Sequence, residues 1–306
     1  MEPVIQVENL VRHFGTVRAV DDISFEVRRG EVFGLLGPNG AGKTTALETI
    51  EGLQKPTSGR TLILGIDTHR EAEKVKERIG VQLQASAYFE QLTLREILEL
   101  FGRFYARCVK PEELLRKVGL LDKTNATIGT LSGGQKQRFT IAAALVNDPE
   151  VVFLDEPTTG LDPQARRSLW EFIQQIHIEG RSVVLTTHYM EEAQFLCQRV
   201  AIMDLGKIVA LDTPTNLIHR LPTPYQIRLV SSAPLPVEDL GRLEGVKEVI
   251  VGGDSTYLLT STDASRSLSI LLSWAHDRGA NVEHIEVIPS TLEDVFLTLT
   301  GKKLRD

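Results

Sequence analysis

Apolar and polar residues follow two different patterns along this chain. From residue 4 to residue 27 they alternate, which predicts two antiparallel strands joined through Arg12 to Thr16. Phe14 lies in that turn and would either stack on a base or cap the core. Farther along, helical segments separate short uninterrupted apolar runs, as in the buried parallel strands of α/β proteins. Four of these runs end at Leu36, Leu83, Leu154 and Thr187.

A glycine-rich segment follows the first of these runs and precedes a helical segment that extends to Leu53. It consists of Gly37, Pro38, Asn39, Gly40, Ala41, Gly42, Lys43, Thr44 and Thr45. This segment fits the pattern G-x-x-x-x-G-K-[ST], in which backbone N–H groups and a helix N-terminus surround phosphate oxygens. We expect Lys43 to reach the β- and γ-phosphates and the Thr44 hydroxyl to bind Mg²⁺. A glycine-rich turn without a ligand is the alternative.

Two adjacent carboxylates follow the apolar run that ends at Leu154. Burying Asp155 and Glu156 at this position is unfavourable unless a cation compensates them. Mg²⁺ bound to ATP would do so. Asp155 would then hold the ion through its water shell, and Glu156 would orient or deprotonate the attacking water. The alternative is a structural acidic pair at a helix N-terminus.

Single polar residues follow two further apolar runs. Gln84 comes after Leu83, and His188 comes after Thr187. Taken alone, Gln84 is typical of an exposed loop and His188 of a helix cap or a surface. Because the carboxyl ends of parallel strands meet at one edge of a sheet, we expect both side chains to lie near the phosphate loop. His188 would there bridge the γ-phosphate and Glu156.

Two more segments are candidates for ligand or partner contacts. Ser132, Gly133, Gly134 and Gln135 precede a helix and form a second candidate anion site, or simply an N-cap followed by glycines. Residues 92 to 105 carry apolar side chains at helical spacing. This spacing predicts an amphipathic helix that packs on the core or on a partner.

Composition limits the classes of function. A chain of 306 residues with 42% apolar and 25% charged residues is typical of a globular protein with a large and a small domain. Its formal net charge of −7 argues against a broad nucleic-acid-binding surface, although it is compatible with a local basic patch. The two cysteines, Cys108 and Cys197, indicate a reducing compartment, and the N-terminus does not resemble a signal peptide. No apolar stretch approaches the ~20 residues that span a bilayer, so we expect any membrane part in another chain.

A boundary is expected near Pro222, which divides the chain into residues 1–220 and 221–306. The second part alternates short apolar runs and helices in the order β-α-β-β-α-β, which predicts a small α+β ferredoxin-like domain. RNA binding is the alternative role for that fold, but its 8 basic and 12 acidic residues give it a charge of −4. A last helix is expected to have Ser290 as N-cap and Glu293 as capping-box partner.

The order of these motifs resembles the nucleotide-binding subunit of ATP-binding cassette transporters, from residue 4 to about residue 220. The resemblance is carried by the phosphate loop, by Leu131-Ser132-Gly133-Gly134-Gln135 as the family signature, and by Leu154-Asp155-Glu156. It implies an α/β phosphate-loop NTPase cassette with a mixed sheet core, an antiparallel β subdomain and a helical subdomain at about residues 85–150. ATP and Mg²⁺ are the implied cofactors.

The resemblance also implies roles for single residues. Phe14 would stack on adenine, although tyrosine is common at this position, and Asp162 would contact a second subunit. Gln84 would be the switch glutamine and a Mg²⁺ ligand, although Leu83 stands where proline is frequent. His188 would be the switch histidine. The signature loop of one chain would close on ATP held by the phosphate loop of another.

Partners and function follow from the same resemblance. A second, identical nucleotide-binding subunit would complete the ATP sites, and a multi-span membrane permease would contact the helical subdomain. The chain would be a cytoplasmic ATPase, peripheral on the inner face of the cell membrane, that powers export of a drug, a lipid or another hydrophobic molecule. The segment Thr187–Ala193 and the C-terminal helix resemble drug-resistance and multidrug export ATPases. A non-transport cassette ATPase, acting as a scaffold or in nucleic-acid or ribosome processes, is the alternative.

Overall fold

The computed structural model describes residues 3–84, 87–253 and 255–301. The chain divides into two compact units between Pro214 and Thr215, a few residues before the boundary expected after residue 220. None of the helices in the described ranges is long and apolar enough to cross a membrane.

The elements of the first unit follow the alternation of strands and helices expected of an α/β fold. In chain order they are β1 (Pro3–Phe14), β2 (Val17–Arg28), β3 (Val32–Leu36), α1 (Lys43–Ile50), β4 (Ser58–Ile63), β5 (Ile66–Asp67), α2 (Ala72–Lys76), β6 (Ile79–Gln82), α3 (Leu94–Gly102), α4 (Pro111–Lys117), α5 (Gly133–Ala144), β7 (Val151–Asp155), α6 (Pro163–Ile178), β8 (Ser182–Thr187), α7 (Met190–Leu196), β9 (Arg199–Asp204) and β10 (Lys207–Asp212). Short 3-10 turns cover Leu121–Lys123 and Ile128–Thr130.

A six-stranded sheet forms the centre of this unit. Its strand order is β10-β9-β3-β8-β7-β6, and all neighbouring pairs are parallel except β9 and β10. Every residue of β3, β7 and β8 is buried, which explains why these strands are mostly apolar in the sequence. The predicted mixed sheet is confirmed, and the carboxyl ends of β3, β6, β7 and β8 lie along one edge of it.

An antiparallel sheet of order β2-β1-β4-β5 shares a hydrophobic core with the central sheet. Phe25 of β2 stacks on Phe33 of β3, with 5.1 Å between the ring centroids. The turn between β1 and β2 is shorter than the sequence predicts, because β1 stays paired up to Phe14, which lies opposite Val17.

The helical segment between β6 and β7 is built around α3, α4 and α5. Helix α3 begins after Thr93, which forms a capping box with Glu96. Its apolar face, including Leu94, is buried, but the helix ends at Gly102. The periodicity that predicted a helix to residue 105 was therefore too long, and Phe104 lies beyond the helix with 72% of its surface exposed.

The remaining elements follow in the order that the sequence predicts, including the helix predicted at the end. They are α8 (Pro214–His219), β11 (Tyr225–Ser231), α9 (Val237–Gly241), β12 (Val246–Val251), β13 (Thr256–Ser261), α10 (Ala264–Asp277), β14 (Val282–Pro289) and α11 (Leu292–Thr300). The four strands form an antiparallel sheet of order β12-β13-β11-β14, over a core that includes Leu229, Leu259 and Leu271. The ferredoxin-like assignment of this β-α-β-β-α-β arrangement stays a prediction.

The cap of α11 differs by one residue from the prediction. Thr291, not Ser290, is the N-cap, and Asp294, not Glu293, completes the capping box. The reason is that the backbone N–H of Ser290 pairs with the carbonyl oxygen of Pro224, so this residue still belongs to the loop.

Candidate nucleotide-binding site

The glycine-rich segment connects β3 to α1 at the carboxyl edge of the central sheet. Gly42 has a φ of 99°, and a Cβ atom there would lie 2.1 Å from the carbonyl oxygen of Ala19. Gly40 has a φ of 82°, and no atom lies within 4 Å of the position that its Cβ would occupy. One glycine is therefore required by packing, and the other leaves the backbone open to a ligand, as a phosphate loop needs.

Lys43, the first residue of α1, is buried and turns back towards this loop. Its Nζ donates to the carbonyl oxygens of Gly37 at 2.8 Å and Pro38 at 3.1 Å, and lies 3.3 Å from Glu156 Oε1. Burial lowers the pKa of Lys43, and the neighbouring Glu156 carboxylate opposes that shift. The ammonium group is thus positioned by the loop that the sequence predicts to bind phosphate.

Asp155 ends β7 and is surrounded by hydroxyl groups. Its Oδ1 accepts hydrogen bonds from Thr44 Oγ1 at 3.2 Å and from Thr186 Oγ1. Burial raises the pKa of Asp155, and the two hydroxyl donors act in the opposite direction. Mg²⁺ prefers oxygen ligands, and Thr44 and Asp155 place a hydroxyl and a carboxylate oxygen next to each other. These two residues therefore fit that ion.

Thr186 is a site residue that the sequence pattern did not indicate. It lies in β8 directly opposite Asp155 of β7 in the parallel register. Its hydroxyl also accepts the backbone N–H of Glu156 at 2.9 Å. The sequence shows a hydroxyl residue just before the end of a buried strand. That position indicates a site residue only once the strand pairing is known.

Glu156 lies between two basic side chains. One carboxylate oxygen faces Lys43, and the other is 3.1 Å from His188 Nδ1 and accepts a hydrogen bond from Thr159 Oγ1 at 3.1 Å. Burial acts to raise the pKa of Glu156, but Lys43 and His188 together hold it below its usual value. Glu156 also has a φ of 47°, in the left-handed region that residues other than glycine seldom adopt. The result is an ionised carboxylate at the sheet edge.

His188 follows β8 directly and remains partly exposed. Its Nδ1 is close to Glu156 but is not aligned for a hydrogen bond. The ring lies against Tyr189, with 4.1 Å between the centroids, and the guanidinium of Arg166 lies 4.3 Å from the centroid of the Tyr189 ring. His188 is thus held at the sheet edge by an aromatic neighbour.

Five predicted site residues therefore come together: Lys43, Thr44, Asp155, Glu156 and His188. Gln84 does not join them in this structure. It is exposed two residues past the end of β6, and among the described residues no hydrogen bond or ion pair links it to the group. Instead, the side chain of Gln82, which the sequence pattern did not indicate, donates to the carbonyl oxygen of Asp155 at 3.4 Å.

The other predicted residues lie at the ends of their own elements. Phe14 is exposed at the end of β1, with the Arg12 guanidinium 4.3 Å from its ring. Ser132 caps α5 in a capping box with Gln135, as the N-cap alternative proposed. Asp162 caps α6 by accepting from two backbone N–H groups. Ser132 and Asp162 thus cap their own helices, and their contact with a second subunit stays a prediction.

A phosphate loop, a buried lysine and an ionised carboxylate beside an aspartate with two hydroxyl donors define the site of a phosphate-loop nucleoside triphosphatase. Comparisons with known proteins narrow this class. The profile of the ABC transporter family matches residues 20–159.

Relatives extend over nearly the whole chain. The linearmycin resistance ATP-binding protein LnrL of Bacillus subtilis is 36% identical over 99% of this chain and 100% of its own length. The Nod factor export ATP-binding protein I of Ralstonia nicotianae is 37% identical over 99% and 96%. The daunorubicin resistance ATP-binding protein DrrA2 of Streptomyces coeruleorubidus is 36% identical over 98% and 95%.

Solved structures match between 68% and 72% of the chain. One is cbiO1 from Clostridium perfringens, part of the ABC transporter complex cbiONQ, with a TM-score of 0.65, 27% identity and coverage of 72% of this chain and 92% of that one. Another is a dimeric ATP-binding cassette in a post-hydrolysis state with ADP and Pi, with a TM-score of 0.62, 27% identity and coverage of 68% and 98%. The chain belongs to the ABC transporter family. It is an ATP-binding subunit and an ATPase, of a class that works with membrane subunits.

Proposed function

We propose that this chain hydrolyses ATP to power the export of a hydrophobic compound through a separate membrane subunit. The observation that carries the proposal is the contact of Glu156 with both Lys43 and His188 beside the phosphate loop. Export is supported by the names of the full-length relatives, which are resistance and export ATP-binding proteins. A drug, a lipid or a similar hydrophobic molecule is the expected class of cargo.

Nucleotide binding would use the segment from Gly37 to Thr45. Its backbone N–H groups and the N-terminus of α1 would surround the phosphates, and Lys43 would exchange its contacts with loop carbonyls for phosphate oxygens. Thr44 and Asp155 would hold Mg²⁺, whose charge offsets that on the phosphates. Phe14, exposed at the end of β1, would stack on the adenine ring.

Hydrolysis would depend on Glu156 as the general base. Lys43 and His188 lower the pKa of this residue and outweigh the opposite effect of burial. The carboxylate therefore stays ionised and can accept a proton from water. Contacts on both of its oxygens fix the orientation of the carboxylate. When Lys43 turns to the γ-phosphate, Glu156 Oε1 is released to orient the attacking water, while His188 retains the second oxygen.

A second copy of the chain would complete the site. Ser132 and Gly133 are exposed at the N-terminus of α5, and a Cβ atom at Gly133 would meet nothing within 4 Å. This open helix end would close on ATP held by the other chain, with Asp162 at the same interface and Gln84 moving to the Mg²⁺ site. Solved relatives that are dimeric support this arrangement.

The membrane subunit is expected to contact the helical subdomain, at about residues 85–150. This contact would place the chain on the inner face of the cell membrane as a peripheral subunit. Recovery of a multi-span membrane protein with the affinity-purified chain from detergent-solubilised membranes would support that arrangement. Recovery of ribosomes or DNA instead would support the non-transport alternative.

The hydrolytic role is tested by Glu156→Gln. This change keeps the shape of the side chain but removes the base, so ATP binding should persist while turnover falls by about 10²–10⁴-fold. Glu171→Gln, an exposed acid of α6 outside the site, is the matched control. Turnover at the wild-type rate in Glu156→Gln would remove Glu156 from this role.

A further inference from the structure

Glu192, in the first turn of α7, is a fully buried acid outside the group of predicted site residues. None of its surface is exposed, whereas a glutamate is almost never fully buried unless it is paired. Its Oε1 accepts a hydrogen bond from the indole Nε1 of Trp170 on α6 at 3.0 Å. Burial raises the pKa of Glu192, and the hydrogen-bonding groups around it act in the opposite direction. This carboxyl group therefore links α6 and α7 inside the protein.

Two further neighbours of the Glu192 carboxyl group come from segments of the ATP site. The hydroxyls of Thr187 and Thr158 lie beside it and act to lower its pKa. Thr187 directly precedes His188, and Thr158 is the second residue after Glu156. Glu192 therefore lies between the two segments whose side chains meet where Glu156 approaches His188.

Thr187 is held at the end of β8 by backbone contacts. Its hydroxyl accepts the backbone N–H of Tyr189 at 2.9 Å, and its carbonyl oxygen accepts that of Gly37, in the phosphate loop, at 3.3 Å. Because the hydroxyl oxygen accepts from Tyr189, its own proton remains available to the Glu192 carboxyl group. The segment that carries His188 is thus bonded to the phosphate loop and lies beside Glu192.

Thr158 differs from Thr187, because its hydroxyl is buried without a partner. None of its surface is exposed, and within the described ranges neither Thr158 Oγ1 nor Glu192 Oε2 has a hydrogen-bond partner. A donor and an acceptor are therefore close to each other, both shielded from water and not aligned for a bond. An unsatisfied buried polar atom costs free energy, and a small movement that aligns these two atoms would recover that cost.

We propose that Glu192 is a positioning residue for ATP hydrolysis, and that Thr158 Oγ1 donates a hydrogen bond to Glu192 Oε2 in the state that hydrolyses ATP. This bond would fix the segment after Glu156 relative to the segment before His188, and so hold the Glu156 carboxylate at one distance from the His188 ring. The inference rests on the proposed roles of Glu156 and His188. Misplacing a catalytic group by about 1 Å can lower a rate on the order of 10²-fold, so a bond made outside the site can affect turnover.

The first test replaces Thr158 by valine, which has nearly the same shape but no hydroxyl. Because this hydroxyl has no partner in the structure, Thr158→Val should leave the midpoint of thermal unfolding unchanged or raise it. The kcat for ATP hydrolysis should nevertheless fall on the order of 10-fold, about the value of one hydrogen bond, while KM for ATP stays within about twofold. Thr158→Ser, which keeps the hydroxyl, should restore kcat even where the lost methyl group lowers stability.

Thr61→Val is the matched control, because Thr61 is also fully buried but belongs to β4 of the antiparallel sheet. Its hydroxyl shares a hydrogen bond with that of Thr68. Thr61→Val should therefore lower the unfolding midpoint and leave kcat unchanged, the opposite of the pattern expected for Thr158→Val. A Thr158→Val chain that loses stability, or that keeps the wild-type kcat, would overturn the inference.

The second test identifies Glu192 as the partner of Thr158. Glu192→Met keeps an unbranched side chain but removes the carboxyl group, so kcat should fall at least as far as in Thr158→Val, and adding Thr158→Val should then cost little more. Glu192→Gln should recover most of the rate, since an amide can still bond to Trp170 and to the Thr158 hydroxyl. Equal losses from Thr158→Val with and without the Glu192 carboxyl group would overturn the inference. If thermal unfolding shows that Glu192→Met is not folded, the Thr158 variants decide alone.

The outcome can be separated from that of the proposed function. If Glu156→Gln lowers turnover as expected but Thr158→Val does not, the inference is wrong and the role of Glu156 stands. If Glu156→Gln hydrolyses ATP at the wild-type rate, the proposed function fails and the inference fails with it.

Discussion

Two buried acids of the first unit, Glu156 and Glu51, differ in the sign of their pKa shift. Both are less than a tenth exposed, with 8% and 3% of their surfaces accessible. Burial acts to raise the pKa of each, but Lys43 and His188 hold that of Glu156 below its usual value. For Glu51, burial and the like charges of Asp155 and Glu48 act in the same direction, and its pKa rises to about 8. Burial raises the pKa of both carboxyl groups, and the charges of the neighbouring side chains determine whether the carboxylate stays ionised.

This difference follows from the neighbours of each carboxyl group. The cationic neighbours of Glu156 favour its ionised form within the isolated chain. The raised pKa of Glu51 favours its neutral form near neutral pH.

The largest effect is expected from removing the cation beside Glu156. Lys43→Met eliminates both the proposed phosphate contact and the charge that lowers the pKa of Glu156, so turnover should fall on the order of 10²–10³-fold or more. The acid limb of the residual pH–rate profile should also move to higher pH, because the pKa of a buried carboxylate rises when its neighbouring cation is removed. Steady-state ATP hydrolysis across pH measures both effects.

Lys247→Met, a change of an exposed lysine on β12, is the control for the loss of one positive charge. A lower rate with an unmoved acid limb in Lys43→Met would show that Lys43 does not set the ionisation of Glu156. The contrast between the two acids would then have to rest on His188.

The second effect concerns stability. Because the pKa of Glu51 rises from 4.5 to about 8 on folding, the unfolded chain binds fewer protons than the folded chain between these values. The contribution of Glu51 to the free energy of unfolding therefore falls as pH increases, by up to about 1.4 kcal/mol per pH unit, and levels off above the folded-state value. Glu51→Gln should remove this slope, which chemical denaturation at a series of pH values measures.

Glu73→Gln is the matched control, because Glu73 is exposed and lies beside Lys76. The comparison is made as a difference from the wild type, since other buried acids such as Asp155 also have a raised pKa. A slope in Glu51→Gln equal to that of the wild type would mean that Glu51 finds a partner or water within the isolated chain.

Much of this molecule could be predicted from local patterns. Continuous apolar runs predicted the buried strands because parallel strands are covered on both faces, and polar residues at their ends predicted Lys43, Asp155, Glu156 and His188 as one group. Gln84 was expected in that group because it follows the end of an apolar run. The structure places it past the end of β6, where it is exposed.

The residues that were missed depend on pairing between distant elements. Thr186 matters because the strand register places it opposite Asp155, and Gln82 because β6 pairs with β7. Glu51 carried a usable signal, since it follows Leu47 by four residues and so continues the buried face of α1. A charged residue at a helix end is usually solvated, however, and only the tertiary structure around the end of α1 makes it a buried acid.

The smallest effect is expected from Thr159, the remaining contact of Glu156. Thr159→Ala removes the hydroxyl that donates to Glu156 Oε2 at 3.1 Å, but Lys43 and His188 remain. Because Thr159 is exposed, water can replace the lost donor, so the cost should be about 1 kcal/mol, or roughly fivefold in turnover. Thr159→Ser should restore the wild-type rate. A loss in Thr159→Ala as large as that in Lys43→Met would show that orientation of the carboxylate, rather than its ionisation, distinguishes Glu156 from Glu51.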